Sequence, residues 1–149
     1  MKQSILVLAL MATGGLTAVL AQNRACQLLT VDEIRKATGM DLEEPRPENS
    51  GAGDVNCTYG SGIQKNFSIS LHEKGGKPLF LRNRQAASKR RTVTSVASLG
   101  DDAYMASFGP LSQISVLRGD TTILLTIVGG GPGAQTTLPE LARKALGRL

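Results

Sequence analysis

Apolar residues recur along this chain with two different periods, and the switches between them outline its elements. Residues 5–20 form a mostly apolar run without a charge. Thr30 and Glu33 then make a capping box, in which the hydroxyl accepts from a free backbone N–H and the carboxylate reaches back to the cap. Val31, Ile34 and Ala37 or Thr38 follow at helical spacing, Leu29 can staple onto Ile34, and Gly39 supplies the stop, so a short helix is predicted from Thr30. Residues 41–54 are acidic and hold Pro45, Pro47, Gly51 and Gly53, the composition of an exposed loop.

A period of two takes over at Val55, Cys57 and Tyr59, and again at Phe67, Ile69 and Leu71, where Ser68, Ser70 and His72 fall on the other face. Two such runs joined by a Gly-containing loop predict an antiparallel hairpin. Residues 77–91 read as a surface helix with Pro78 in its first turn. Tyr104, Ala106 and Phe108 alternate into a third strand. Ile114 and Val116, a Gly119-Asp120 turn, and Ile123, Leu125 and Ile127 form a second hairpin. Leu124 and Val128 make its last strand apolar on both faces, which places that strand centrally. After the break at residues 129–133, Thr137 and Glu140 offer a second capping box. Leu138, Leu141, Ala142, Ala145, Leu146 and Leu149 then form one helical stripe. The order predicts an α+β fold, a single antiparallel sheet of about five strands with two or three helices packed on it.

Lys2 ahead of the apolar run, and Val19-Leu20-Ala21 behind it, have the form of a signal peptide cut after Ala21. A retained anchor is the alternative, although the run is short for a bilayer core of about 30 Å. Residues 22–149 then make one domain of ordinary size, with no further transmembrane segment, in a periplasmic or secreted location. Its two cysteines, Cys26 and Cys57, read as a bridge in that compartment. Cys26 follows the polar Gln22-Asn23-Arg24, which argues against lipidation.

Charge changes the picture locally. The chain is +5 overall, yet residues 61–100 carry eight Lys and Arg against one acidic residue, whereas residues 22–60 carry four against seven. Lys77, Arg82, Arg84, Lys89, Arg90 and Arg91 are the candidate contact surface, a cationic helix that would attract an anionic envelope component. Nucleic acid is not expected, because the chain has only two Tyr, three Phe and no Trp to stack on bases.

No catalytic, metal or cofactor constellation emerges. His72 is the sole histidine, and its strand phase points it to solvent beside Glu73. Asp101-Asp102 lacks the alternating ligands of a calcium loop, and no Gly-Lys-Ser/Thr follows residues 129–133. Arg118-Gly119-Asp120 spells an adhesion tripeptide, but Gly-Asp is also ordinary turn chemistry.

Four motifs, Cys26-x-Leu28-Leu29-Thr30-x-x-Glu33, Cys57-x-Tyr59, the turn from Leu99 through Gly100-Asp101-Asp102 to Tyr104, and Leu117-Arg118-Gly119-Asp120, span most of residues 22–149. Together they resemble a large bacterial family of small exported domains and lipoproteins of uncharacterised function. The resemblance implies that Cys26 pairs with Cys57 and that the domain is a non-enzymatic envelope or secreted module; the family's usual lipidation signal is absent here. Three functional readings follow. The first is an exported binding module using the basic helix. The second is an inhibitor or accessory subunit of a secreted enzyme, presenting residues 41–54 or the Gly119-Asp120 tip. The third, a hydrolase built on Ser112 or His72, ranks last.

Overall fold

A computed structural model describes residues 23–49, 51, 53–60 and 62–149. The expected signal segment and its cut after Ala21 lie outside the described residues. The elements in chain order are α1 (Arg24–Gln27), α2 (Val31–Thr38), β1 (Arg46–Asn49), β2 (Asp54–Tyr59), β3 (Asn66–His72), α3 (Gly76–Ser88), β4 (Thr92–Ser95), β5 (Asp102–Phe108), β6 (Leu111–Arg118), β7 (Thr121–Val128) and α4 (Ala134–Leu146). All the strands join one antiparallel sheet in the order β1-β2-β3-β7-β6-β5-β4.

The α+β class and the single antiparallel sheet match expectation, but the described residues hold seven strands rather than about five, and four helices rather than two or three. The additional strands are the two edges. β1 lies inside the expected loop and β4 follows the basic helix. Each is four residues long with a single half-buried position pattern and no apolar alternation, so what holds them is backbone pairing to β2 and β5. β7 is the fourth strand of seven, as its two apolar faces require.

The two sheet faces are unequal. Phe67, Ile69 and Leu71 of β3, Ile123, Leu125 and Ile127 of β7, and Ile114 and Val116 of β6 point into the main core. There they meet Ile34 and the stripe Leu138, Leu141 and Ala145 of α4. α1 lies on β2 and β3, α4 on β6 and β7, and α2 packs against α4. Among the described helices, α3 crosses the opposite face, where it buries Phe80 against Tyr104, Ala106 and Leu117. Phe108 completes the alternation of β5 but extends beyond this cover and is 65% exposed.

α2 starts and stops as its sequence dictates. The Thr30 hydroxyl accepts from Glu33 N at 3.2 Å, Glu33 accepts from Thr30 N at 2.9 Å, and Gly39 closes the helix at a φ of 66°. α4 departs from expectation. It begins at Ala134 with Gly133 as cap, so Thr137 is already inside the helix, where its hydroxyl donates to Ala37 O at 3.3 Å. Pro139 sits within the helix and removes one backbone donor.

Cys26 and Cys57 stand at disulfide distance, Sγ–Sγ 2.06 Å and Cα–Cα 5.0 Å, and tie α1 to β2. Beside them the Tyr59 hydroxyl donates to Leu29 O at 2.7 Å, and burial raises the pKa of this phenol well above its ordinary range.

Arg148 at the chain end grips Glu33 with both arms of its guanidinium, at 2.7 Å each, and donates to Leu28 O at 2.9 Å. This hydrogen bonding, reinforced by the Thr30 N–H, lowers the Glu33 pKa from 4.5 to about 2. A depressed carboxyl pKa stabilises the folded state fully above the unfolded value, and that contribution fades as pH falls from about 4.5 toward 2. Because Arg148 is partly exposed and screened, the contribution is on the order of 1–2 kcal/mol. Urea unfolding at pH 7 and pH 3 should show Glu33→Gln destabilised by that amount at pH 7 and by roughly half of it or less at pH 3, the rest being lost as pH falls through the folded pKa of about 2. An equal deficit at both values would contradict the linkage.

Candidate functional site

α3 begins pressed against the β6–β7 turn. Gly76 N donates to Asp120 O at 2.8 Å, and the Thr122 hydroxyl returns a bond to Gly76 O at 2.8 Å. A Cβ at Gly76 would lie 2.5 Å from Asp120 O, so only glycine admits this approach. The Asp120 carboxylate accepts from Gly75 N at 2.7 Å and from Lys77 N at 3.4 Å, and these backbone bonds lower its pKa. Arg118 donates to Leu146 O at 2.7 Å. Both charged side chains of the Arg118-Gly119-Asp120 tripeptide thus turn back into the protein. Asp101 and Asp102 also diverge, the first accepting from Gly119 N at 2.6 Å and the second pairing with Arg84 at 2.7 Å.

From that start α3 runs over β7 and β6 towards β4, and no described helix lies over the same face of β2 and β3. Directly paired residues share a face, so register lays out the floor in rows. One row is Asn56, Ser70, Leu124, Ser115 and Tyr104; the next is Thr58, Ser68, Thr126, Gln113 and Ala106. Two clefts follow the flank of α3 over this floor and share Asn83 and Leu124. The first, of about 280 Å³, lies between Ala86, Ala87, Arg90 and Arg91 of the helix side and Tyr104, Gln113 and Leu124 below. The second, of about 200 Å³, reaches His72, Asp54 and Ser70. Together they make a trough with an apolar middle, polar floor and a cationic lip at one end.

The candidate surface residues divide within this geometry. Arg84 holds α3 down: it pairs with Asp102, donates to Ser95 Oγ at 2.7 Å and lies 5.7 Å over the Tyr104 ring. Arg91 donates to Gln113, which in turn donates to Thr126 Oγ1 at 3.1 Å. Lys77, Arg82, Lys89 and Arg90 are exposed and make no ion pair among the described residues. Lys77 stands at the start of the helix, Arg90 and Arg91 at the trough lip. Burial raises the Tyr104 pKa, so its phenol enters the trough protonated at neutral pH.

His72 corrects the expectation of an exposed ring. Its side chain is 18% exposed, because Asp54 lies opposite it in register and its carboxylate bonds Nδ1. Asp54 is its hydrogen-bond partner among the described residues. Ser112 points to the other sheet face, paired with Ile127 and Ser107, so it cannot act with His72. A third cleft, of about 410 Å³, opens on that other face between Thr92, Thr94, Met105, Ser107 and Gln135; it is larger than the other two but is lined by neutral groups.

Asn83, Ala86, Ala87 and Gln113 carry no functional reading in the sequence, and Leu124 enters it only as part of the second apolar face of β7. No helix among the described residues is long and apolar enough to cross a membrane. No family model, curated protein or solved structure matches the chain.

Proposed function

We propose that the chain is an exported, non-enzymatic binding module that takes an anionic envelope component at the trough lip. The observation that carries this reading is the convergence of Arg90 and Arg91 on a cleft that also offers the Gln113 amide, the Tyr104 hydroxyl and the apolar Leu124. An anionic group would meet the two guanidiniums, Arg91 being held in place by Gln113, while a short apolar portion rests on Leu124 and Ala87. The resemblance to exported envelope modules supports the compartment, and Lys89 and Arg90, which are exposed and make no ion pair among the described residues, support the charge preference.

Reversing Lys89, Arg90 and Arg91 to Glu should weaken binding to anionic envelope material at least about a hundred-fold, at roughly 1 kcal/mol per cation near an anionic surface. The thermal midpoint should fall only modestly: Lys89 and Arg90 are exposed, where substitutions rarely cost more than about 0.5 kcal/mol each, and Arg91 adds the loss of its half-buried bond to Gln113, about 1 kcal/mol. Binding that survives the reversal in a folded variant removes this end of α3 from the function.

A further inference from the structure

The sheet register gathers exposed apolar side chains at the same end as the basic cluster. Asn66 pairs with Val128, Val128 with Leu111 and Leu111 with Phe108, one row across four strands, all on the face crossed by α3. Phe108 is 65% exposed there. The β2–β3 loop closes the same end and carries Ile63, 90% exposed, while its Gln64 and Lys65 sit against Gly129. Ile63, Leu81 and Phe108 are the exposed large apolar residues among those described, and two of them stand on this rim. Three strand spacings, about 14 Å, separate the column of β3 from that of β5.

The cations are placed by the same register. Thr92 pairs with Ser107, so Lys89, Arg90 and Arg91 arrive at the rim immediately before β4, and Lys65 flanks it from the other side. Segments 62–66, 88–92, 107–112 and 127–137 contain these four cations and no Asp or Glu. The acids flanking this end are Glu140, three residues beyond the last of these segments on α4, which packs on the other sheet face, and Glu43 and Glu44 ahead of β1, with Glu44 4.0 Å from Arg35. The opposite end of the sheet instead mixes Asp54, Glu73, Asp101, Asp102 and Asp120 with Lys74, Lys77 and Arg118.

Separated apolar tips within a belt of cations match the chemistry of an anionic bilayer surface: headgroups meet the cations, and the tips enter the interface below them. We infer that this rim docks the protein on an anionic lipid bilayer, with Ile63 and Phe108 inserted and Lys65, Lys89, Arg90 and Arg91 on the headgroups. The inference rests on the anionic-component reading and names its partner. A soluble polyanion would need the cations but would give Ile63 and Phe108 nothing to enter.

The chain has no Trp, so Phe108→Trp places one reporter on the rim. Flotation of the protein with vesicles of phosphatidylcholine, and of phosphatidylcholine mixed with phosphatidylglycerol, should show binding to the mixed vesicles only. Emission from Phe108→Trp should shift to the blue on binding. Ile63→Ser with Phe108→Ser, both at exposed positions that leave the fold intact, should lower vesicle affinity about ten- to hundred-fold. No flotation of the parent, or flotation with unshifted emission at position 108, overturns the inference. Vesicle binding lost on reversing Lys89, Arg90 and Arg91 but unchanged by the serine pair also overturns it, while leaving the anionic reading in place.

Discussion

Phe80→Ala should destabilise the protein by about 3–5 kcal/mol and release α3 from the sheet. Phe80 is fully buried, its ring meets Tyr104 edge-on at a centroid distance of 5.2 Å, and the cluster around it adds only Ala106, Leu117 and the partly buried Ala87 and Val93. So small a cluster has little to close the void with. The polar fastenings of α3, Arg84 to Asp102 and Ser95 and the cap from Asp120, are exposed or half-exposed and each contributes less. Urea unfolding measures the global loss, and hydrogen exchange at the amides of α3 shows whether this helix opens first. Because α3 forms one wall of the trough, binding should fall with it. A cost below about 1 kcal/mol would mean that the helix is held by its polar contacts instead.

Replacing Cys26 and Cys57 together by Ala should cost about 3–4 kcal/mol, the loop-closure entropy for a sequence separation of 31. The loss is a large part of the stability usual for a domain of this size. α1 is a single turn, and besides the sulfur pair it is anchored by Asn23, which donates to Asn56 O and caps Cys26 N. Freed from β2 it should fray, exposing Leu28 and Leu29 and loosening the Tyr59 bond to Leu29 O. Urea titrations of the parent with and without reductant should reproduce the double variant. A reduced parent as stable as the oxidised one would contradict the bridge.

The parts of the fold legible in the sequence are those whose local chemistry and burial agree. Thr30, Glu33 and Gly39 bound α2, and the alternating Ile123, Leu125 and Ile127 identify the strand that lies in the middle of the sheet. β1 and β4 were illegible because an edge strand is exposed on both sides and carries no alternation; its pairing comes from a neighbour's backbone. The start of α4 was misplaced because Thr137 and Glu140 have the spacing of a capping box, whereas the helix already begins at Ala134 and the Thr137 hydroxyl donates to Ala37 O instead. The trough was illegible for a different reason. Arg91 meets Gln113 across 22 residues, and His72 meets Asp54 only through the register of the β2–β3 hairpin, which the long loop between them does not specify. The basic residues were visible at once, but which of them hold the helix and which face outward depended on Asp102, Ser95 and Tyr104.

The most direct test of an anionic partner at the trough lip is capture from the producing cell's envelope and secreted material on the immobilised protein, eluted with a salt gradient, beside the variant with Lys89, Arg90 and Arg91 reversed to Glu. Lipid or other anionic material released from the parent at moderate salt, and missing from the variant, is the expected result, because screening weakens exposed charge contacts first. A single protein retained at high salt by parent and variant alike would contradict it, and would point instead to an inhibitor or accessory subunit working through residues 41–54 or the Gly119-Asp120 tip.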